Sequence, residues 1–214
     1  LDIKINGASV LEKDLKKIKL NSKDIVLLSS ITDPYLPIEQ RYRVTRSILE
    51  VLLKHQISIS ILTKSDLVLR DIDLFTKFKN CEVGLTIITL DEYVSKVFEP
   101  RAPPPSRRLK ALKMLKEHGI KTYAFIGPIL PCFTNLREIF SSISGIVDDI
   151  MAESLNIKCG NWKSIQMALQ ENFPSCAKEF FAKVKDVNYW NGIGKELMKL
   201  SSEFNIPLRG YYRH

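Results

Sequence analysis

The residues that could do chemistry sit at the ends of apolar runs. Thr32-Asp33-Pro34-Tyr35 follows Ile25–Leu28, and Thr63-Lys64-Ser65 follows Ile57–Leu62. Thr86 and Thr89 frame Ile87-Ile88, with Asp91-Glu92 just beyond, and Gly127-Pro128 follows Phe125-Ile126. Asp33 before a proline suits a helix or turn cap. It equally suits a carboxylate that accepts hydrogen bonds from a substrate or orients a nearby base. Lys64 can neutralise a carboxylate or phosphate, form a Schiff base, or stay a solvated loop lysine. Thr86 is a candidate inward hydroxyl, whereas Thr89 and Glu92 have the spacing of a capping box. Glu99-Pro100-Arg101, between two helices, suits an internal ion pair. His118 precedes Gly119 at a helix C-terminus, and His55 and His214 end a helix and the chain. No Ser-His-Asp set or His-based metal spacing can be assembled, so hydrolase and zinc chemistry are disfavoured.

The 214 residues are 45% hydrophobic, which suits one medium-sized globular body. No apolar run reaches membrane-span length, and with Asp2 and Lys4 at the start no signal peptide is visible. The four cysteines, Cys81, Cys132, Cys159 and Cys176, are dispersed without CxxC spacing, as expected of free thiols in a reducing cytoplasm. A net charge of +8 and pI near 9.3 fit either a lysine-rich solvated surface or an anionic partner such as nucleic acid. The densest basic patch is Arg101, Arg107, Arg108 and Lys110.

These strand ends need a frame that gathers them. Asp2–Asn6 alternates like a short strand, and an amphipathic helix is predicted over Val10–Ile18. Further strands are predicted at Ile25–Leu28, Ile57–Leu62, Val83–Ile88, Ile120–Ile126 and Ile146–Met151. Helices are predicted over Ile38–His55, Val68–Phe78, a short stretch after Thr89, Pro105 or Ser106 to Gly119, and Asn135–Ser142. The βα alternation with buried strands implies a parallel sheet. Neither GxGxxG nor a Walker motif is present, and polar groups at nearly every strand end favour a barrel over a doubly wound sheet. Beyond about residue 160 only helices are expected. The expected fold is therefore α/β: a partial (β/α)6 TIM-like barrel over 1–155 and a helical extension over 156–214 packed on it.

Several blocks, in order, resemble one family. They are Ser29-Ser-Ile-Thr-Asp-Pro-Tyr-Leu-Pro-Ile-Glu39, Tyr42-Arg-Val-Thr-Arg46, Ile61-Leu-Thr-Lys-Ser65 and Leu69-Arg-Asp-Ile-Asp73. Thr89-Leu-Asp-Glu92, Glu99-Pro-Arg-Ala-Pro103, Arg108-Leu and Gly127-Pro-Ile-Leu-Pro131 continue the series. Together they resemble the radical S-adenosylmethionine (SAM) proteins related to spore photoproduct lyase, the DNA repair photolyase-like group. The resemblance runs from about residue 2 to 135, and less specifically into Asn188-Tyr-Trp190.

It implies S-adenosylmethionine and a [4Fe-4S] cluster as cofactors, with an electron donor to the cluster. The implied activity is lyase-like radical chemistry through a 5′-deoxyadenosyl radical, with DNA or another nucleic acid as the implied partner. Lys64 matches the position that meets the S-adenosylmethionine carboxylate, and Thr86 a hydroxyl position holding the same methionine moiety. Thr32 and Asp33 match the polar strand end near ribose or substrate, and are the candidate catalytic pair. Asn6 and Ser30 are further cofactor-binding candidates at the mouth.

The family's CxxxCxxC ligands are expected before Asp2 and are not among the cysteines here, so no metal ligand is assigned. On the resemblance this chain is expected to be a fragment, inactive alone, that lacks the cluster loop and the first barrel strand; the alternative is a degenerate member of the family. The hydrogen-returning cysteine of spore photoproduct lyase has only Ser29-Ser30-Ile31 as its counterpart, which leaves a radical enzyme of unassigned substrate. Two alternatives from other classes remain: a Schiff-base aldolase-type barrel using Lys64, and a non-catalytic nucleic-acid-binding barrel.

Overall fold

In a computed structural model describing residues 3–18, 21, 24–28, 32–158 and 160–214, six parallel strands lie side by side in chain order. They are β1 Ile25–Leu28, β2 Ser58–Thr63, β3 Cys81–Thr86, β4 Lys121–Ile129, β5 Asp149–Ser154 and β6 Leu208–Tyr212. The connections carry α2 Glu39–Tyr42 and α3 Val44–Lys54, then a 3₁₀ turn over Asp66–Asp71 and α4 Ile72–Phe75. They continue with α5 Glu92–Phe98, α6 Pro105–Glu117, α7 Leu136–Ile143, α8 Trp162–Asn172, α9 Pro174–Lys185 and α10 Val187–Glu203, while α1 Gly7–Leu15 precedes the sheet. Outward residues such as Ile59, Ile61, Val83, Leu85, Ala124 and Ile126 are fully covered by helices and form the core. Burial on the helix side, repeated at every second strand position, is what drives this layer together.

The opposite face is concave. In a flat sheet β6 and β3 would lie about 14 Å apart. Yet Arg209 of β6 makes a two-pronged contact with Glu82 of β3, at 2.8 and 2.9 Å. Tyr123 of β4 likewise donates from its hydroxyl to the Ile61 carbonyl of β2 at 3.0 Å. The sheet is therefore curled into a half-barrel. Its lower end, where the strands begin, is plugged by one polar group: Arg209 also donates to Asp149 (2.7 Å), Ser60 donates to Glu82 (2.8 Å), and Lys121 lies 3.2 Å from Glu82. The Tyr123 ring lies under the Arg209 guanidinium. A Cβ at Gly84 would stand 2.2 Å from that ring, so only glycine fits there.

Three expectations change. Residues 3–6 form no strand: Ile5 and Asn6 turn into α1, which starts at Gly7, three residues earlier than expected; Asp2 lies outside the described residues. Two isoleucines cannot hold a strand without a partner edge, and Ile5 is 72% exposed. The single helix expected over 38–55 is broken at Arg43, whose φ of 49° is left-handed. The Glu39 carboxylate accepts the Thr45 amide (3.0 Å), starting α3 afresh. The tail is not purely helical, because β6 adds parallel to β5 and extends the same sheet. Leu208-Arg-Gly-Tyr-Tyr212 hides its strand character, since its concave positions carry Arg209, Gly210 and Tyr212.

Gly84→Ala is expected to destabilise the fold by about 1–3 kcal/mol, read by chemical denaturation, since the pinned tyrosine cannot retreat. Burial alone would raise the Glu82 carboxyl, but bonds from Arg209 and Ser60 and the Lys121 ammonium outweigh it and hold it below the ordinary 4.5. A depressed carboxyl stabilises the fold above its unfolded value, and that contribution is lost as pH falls through the folded value. Arg209→Met is expected to lower stability at pH 7 by on the order of 2 kcal/mol, less than for a fully buried pair because Arg209 is about a third exposed. Melting curves from pH 7 to 3 should then show a shallower acid decline in the variant than in the unsubstituted chain.

Candidate functional site

The loops that follow β1 and β2 and the segment joining α5 to α6 line an open cavity of about 840 Å³, within the range of small-molecule sites. Asp33, Lys64, Lys96, Glu99, Arg101 and Arg107 supply charged groups to its wall. Asp33 ties the wall together. Its Oδ1 accepts the Tyr35 amide (2.8 Å) and the Thr63 hydroxyl (2.6 Å), and its Oδ2 accepts the Lys64 amide (2.7 Å). The first of these is the turn-capping role the sequence permits; the other two fix the end of β2 and set the backbone of Lys64. Ser65 then caps the 3₁₀ turn by accepting the Leu67 amide.

The Lys64 ammonium lies 2.9 Å from Glu99 Oε1, and Arg108 Nη1 lies 2.6 Å from Glu99 Oε2. Lys64 is 42% exposed, whereas the Glu99 and Arg108 side chains are only 6% and 1% exposed. Arg108 is anchored further by donating to the carbonyls of Pro103 (2.8 Å) and Thr86 (3.0 Å). The Glu99 oxygens and Arg108 Nη2 make no well-aligned hydrogen bond, so short-range charge holds the pair. The ion pair expected at Glu99-Pro100-Arg101 is thus present, but its cations are Lys64 and Arg108, not Arg101.

A second buried network stiffens the loop under the cavity. Asp71, fully buried, accepts from the Tyr35 hydroxyl (3.0 Å), Arg46 Nη1 (2.8 Å) and Arg70 Nε and Nη2 (2.9 and 2.7 Å). Burial, followed by the Asp71 charge, pushes the Tyr35 phenol far above its ordinary range, so it remains a neutral donor. Arg70 also reaches the Glu39 carbonyl and carboxylate, and Arg46 grips Asp73 with both terminal nitrogens. The blocks Thr32–Glu39, Tyr42–Arg46 and Leu69–Asp73 are therefore one unit in space.

Of the expected site residues, Asp33 and Lys64 come together at the cavity. Thr86 is buried at the end of β3 and joins through its carbonyl on Arg108. Thr32 is exposed and does not line the cavity. Asn6 stands on the turn before α1, whose Gly7 faces Val44 and Ile48 of α3, and it is not at a strand end. Ser30 lies outside the described residues. Thr89 accepts the Asp91 amide, and Asp91, not Thr89, caps α5 by accepting from Tyr93 and Val94; Glu92 instead takes the Ser106 hydroxyl. The basic patch dissolves: Arg108 is buried and Arg107 pairs with Asp66. Glu99 and Arg108 are the functional pair that spacing alone did not join; they stand nine positions apart across the turn of Pro103-Pro104-Pro105. The ion pair around Lys64 also differs from the apolar surroundings that lower the pKa of a Schiff-base lysine.

The model for the Radical SAM superfamily matches residues 8–139. The chain belongs to this superfamily. Over 161 residues it is 42% identical to an uncharacterized protein of Methanocaldococcus jannaschii, covering 75% of this chain and 61% of that one. An uncharacterized protein of Acidianus two-tailed virus is 32% identical over 198 residues, covering 88% of this chain and 62% of that one. The chain thus spans about three-fifths of the length of these relatives. In fold it is similar to a spore photoproduct lyase variant, with TM-score 0.64, 14% identity, and coverage of 100% of this chain and 67% of that one. It is also similar to Streptococcus suis SuiB bound to S-adenosylmethionine, with TM-score 0.61, 15% identity, and coverage of 97% and 42%. Membership of the superfamily implies S-adenosylmethionine and a [4Fe-4S] cluster. The cluster does not fit the residues in hand: among the described residues no three His, Cys, Asp or Glu side chains gather as a metal site. The cavity beside Lys64, lined by charged and apolar groups together, has the size and mixed chemistry that an amino-acid-bearing nucleoside would need.

Asp33→Ala, which strips three hydrogen bonds from a half-buried carboxylate, is expected to cost about 2–3 kcal/mol in denaturant unfolding. Hydrogen exchange should rise first over residues 63–67.

Proposed function

We propose that this chain forms the S-adenosylmethionine-holding wall of a radical enzyme. The observation that carries the reading is Lys64: an exposed ammonium at a strand end, its backbone fixed by Asp33, facing a cavity of ligand size in a radical SAM domain. Lys64 receives the carboxylate of the methionine moiety. Thr86 lies beside it on the neighbouring strand, and the Asp33–Thr63 pair keeps that rim rigid. The superfamily's chemistry is one-electron cleavage of S-adenosylmethionine to methionine and a 5′-deoxyadenosyl radical, which takes hydrogen from a substrate. The cluster that supplies the electron would be held by residues other than those described, so on this reading the described residues alone bind the nucleoside without turning it over. An electron donor to the cluster and a cytoplasmic setting belong to the same reading; among the described residues no helix is long and apolar enough to cross a membrane.

The substrate on this reading is nucleic acid, with lyase-like repair as the reaction class. Lys96 and Arg101 on the cavity wall and the net charge of +8 support an anionic partner.

Lys64→Met is expected to weaken equilibrium binding of S-adenosylmethionine by about tenfold or more, the loss of one charge-assisted contact. A longer protein containing this chain, reconstituted anaerobically with iron and sulfide, should show a reduced-cluster EPR signal that S-adenosylmethionine perturbs, and should release 5′-deoxyadenosine. An unperturbed signal with no 5′-deoxyadenosine would overturn the enzyme reading. Oligonucleotide affinity should fall steeply with salt, and Arg101→Glu should reduce it; a salt-independent affinity would remove nucleic acid as the substrate.

A further inference from the structure

The contacts around Glu99 are arranged unequally. One of its cations, Arg108, is fixed: 1% exposed and tethered to two backbone carbonyls. The other, Lys64, is at the end of a flexible stem, 42% exposed, and opens on the cavity. Glu99 itself begins the stiff run Glu99-Pro-Arg-Ala-Pro-Pro-Pro105 and is buried. A buried carboxylate with a single mobile partner would lock that partner in place, because releasing it leaves an uncompensated charge. Here the release is cheap, since Arg108 continues to compensate Glu99 when Lys64 swings away.

We infer that Glu99 is a positioning residue for Lys64: with Arg108 as its permanent counter-ion, it parks the ammonium at the cavity wall and yields it to an incoming ligand carboxylate. The inference rests on the reading that Lys64 receives the carboxylate of S-adenosylmethionine. Glu99 then competes with that carboxylate for one ammonium. The cavity therefore selects ligands that carry a carboxylate able to displace Glu99.

Two measurements on the full 214-residue chain test this. In a lysine-ammonium ¹H–¹⁵N spectrum without ligand, the Lys64 signal, assigned by its loss in Lys64→Met, should be visible because pairing slows its exchange with water. It should disappear in Glu99→Gln and return in part in Glu99→Asp. In binding assays with S-adenosylmethionine and its decarboxylated analogue as probes, Glu99→Gln should tighten the first by severalfold and leave the second unchanged. Thermal melts check that each variant is folded; should Glu99→Gln fail to fold, Glu99→Asp in the same two assays decides the matter, with a weakened Lys64 signal expected. A Lys64 signal that persists in Glu99→Gln, or binding of both probes shifted alike, overturns the inference. A Lys64→Met chain that still discriminates between the two probes overturns the assignment of Lys64 to the carboxylate, a result separable from the ligand-free spectrum.

Discussion

The mouth of this half-barrel depends on the buried attraction between Glu99 and Arg108. Two charges taken out of water are costly, and their attraction offsets the cost only when both are fixed. Arg108 is fixed by carbonyls at the end of β3 and at the start of α6, so the ion pair fastens the strap of residues 99–105 onto the sheet. Without that fastening the wall of the cavity opposite Asp33 would have no reason to hold its position. The ammonium of Lys64 would then have no partner at the rim.

The opposite end of the barrel is closed by the same kind of force used differently. Arg209 spans from β6 to β3 and gathers Glu82 and Asp149 beneath the ring of Tyr123. Burial pushes the Tyr123 phenol up to about 12, so it serves as a neutral donor there. The acids of this plug are buried, while Arg209 stays about a third exposed. The plug braces the curl that brings the strand ends into convergence.

Under the cavity lies the Asp71 network, which explains why the family-like blocks stay together. Arg46 comes from α3, Arg70 and Asp71 from the 3₁₀ turn, and Tyr35 from the loop after β1. Of these residues, Tyr35 and Arg70 also contribute to the cavity lining. Together they hold the loop that presents Asp33, and Asp33 in turn sets Lys64. Precision at the site is inherited from buried polar groups that are themselves satisfied.

The sequence by itself determined the parallel α/β half-barrel, the helix of residues 105–117 with Gly119 beyond it, and the placement of Asp33 and Lys64 just after strands. Those follow from local pattern: continuous apolar runs, helical spacing, and polar residues at strand ends. Only the tertiary structure decided what lies far apart in the chain. It joined Lys64 to Glu99 and Arg108, removed Arg108 from the surface patch, and found β6 in a segment whose concave positions carry arginine, glycine and tyrosine. It also turned the expected strand at residues 2–6, where described, into a turn leading into α1, and set Asn6 away from the cavity. The physical reason is common to all of these. Pattern reports what a residue's neighbours in sequence bury, whereas a charge is satisfied by whatever the fold brings within about 3 Å of it.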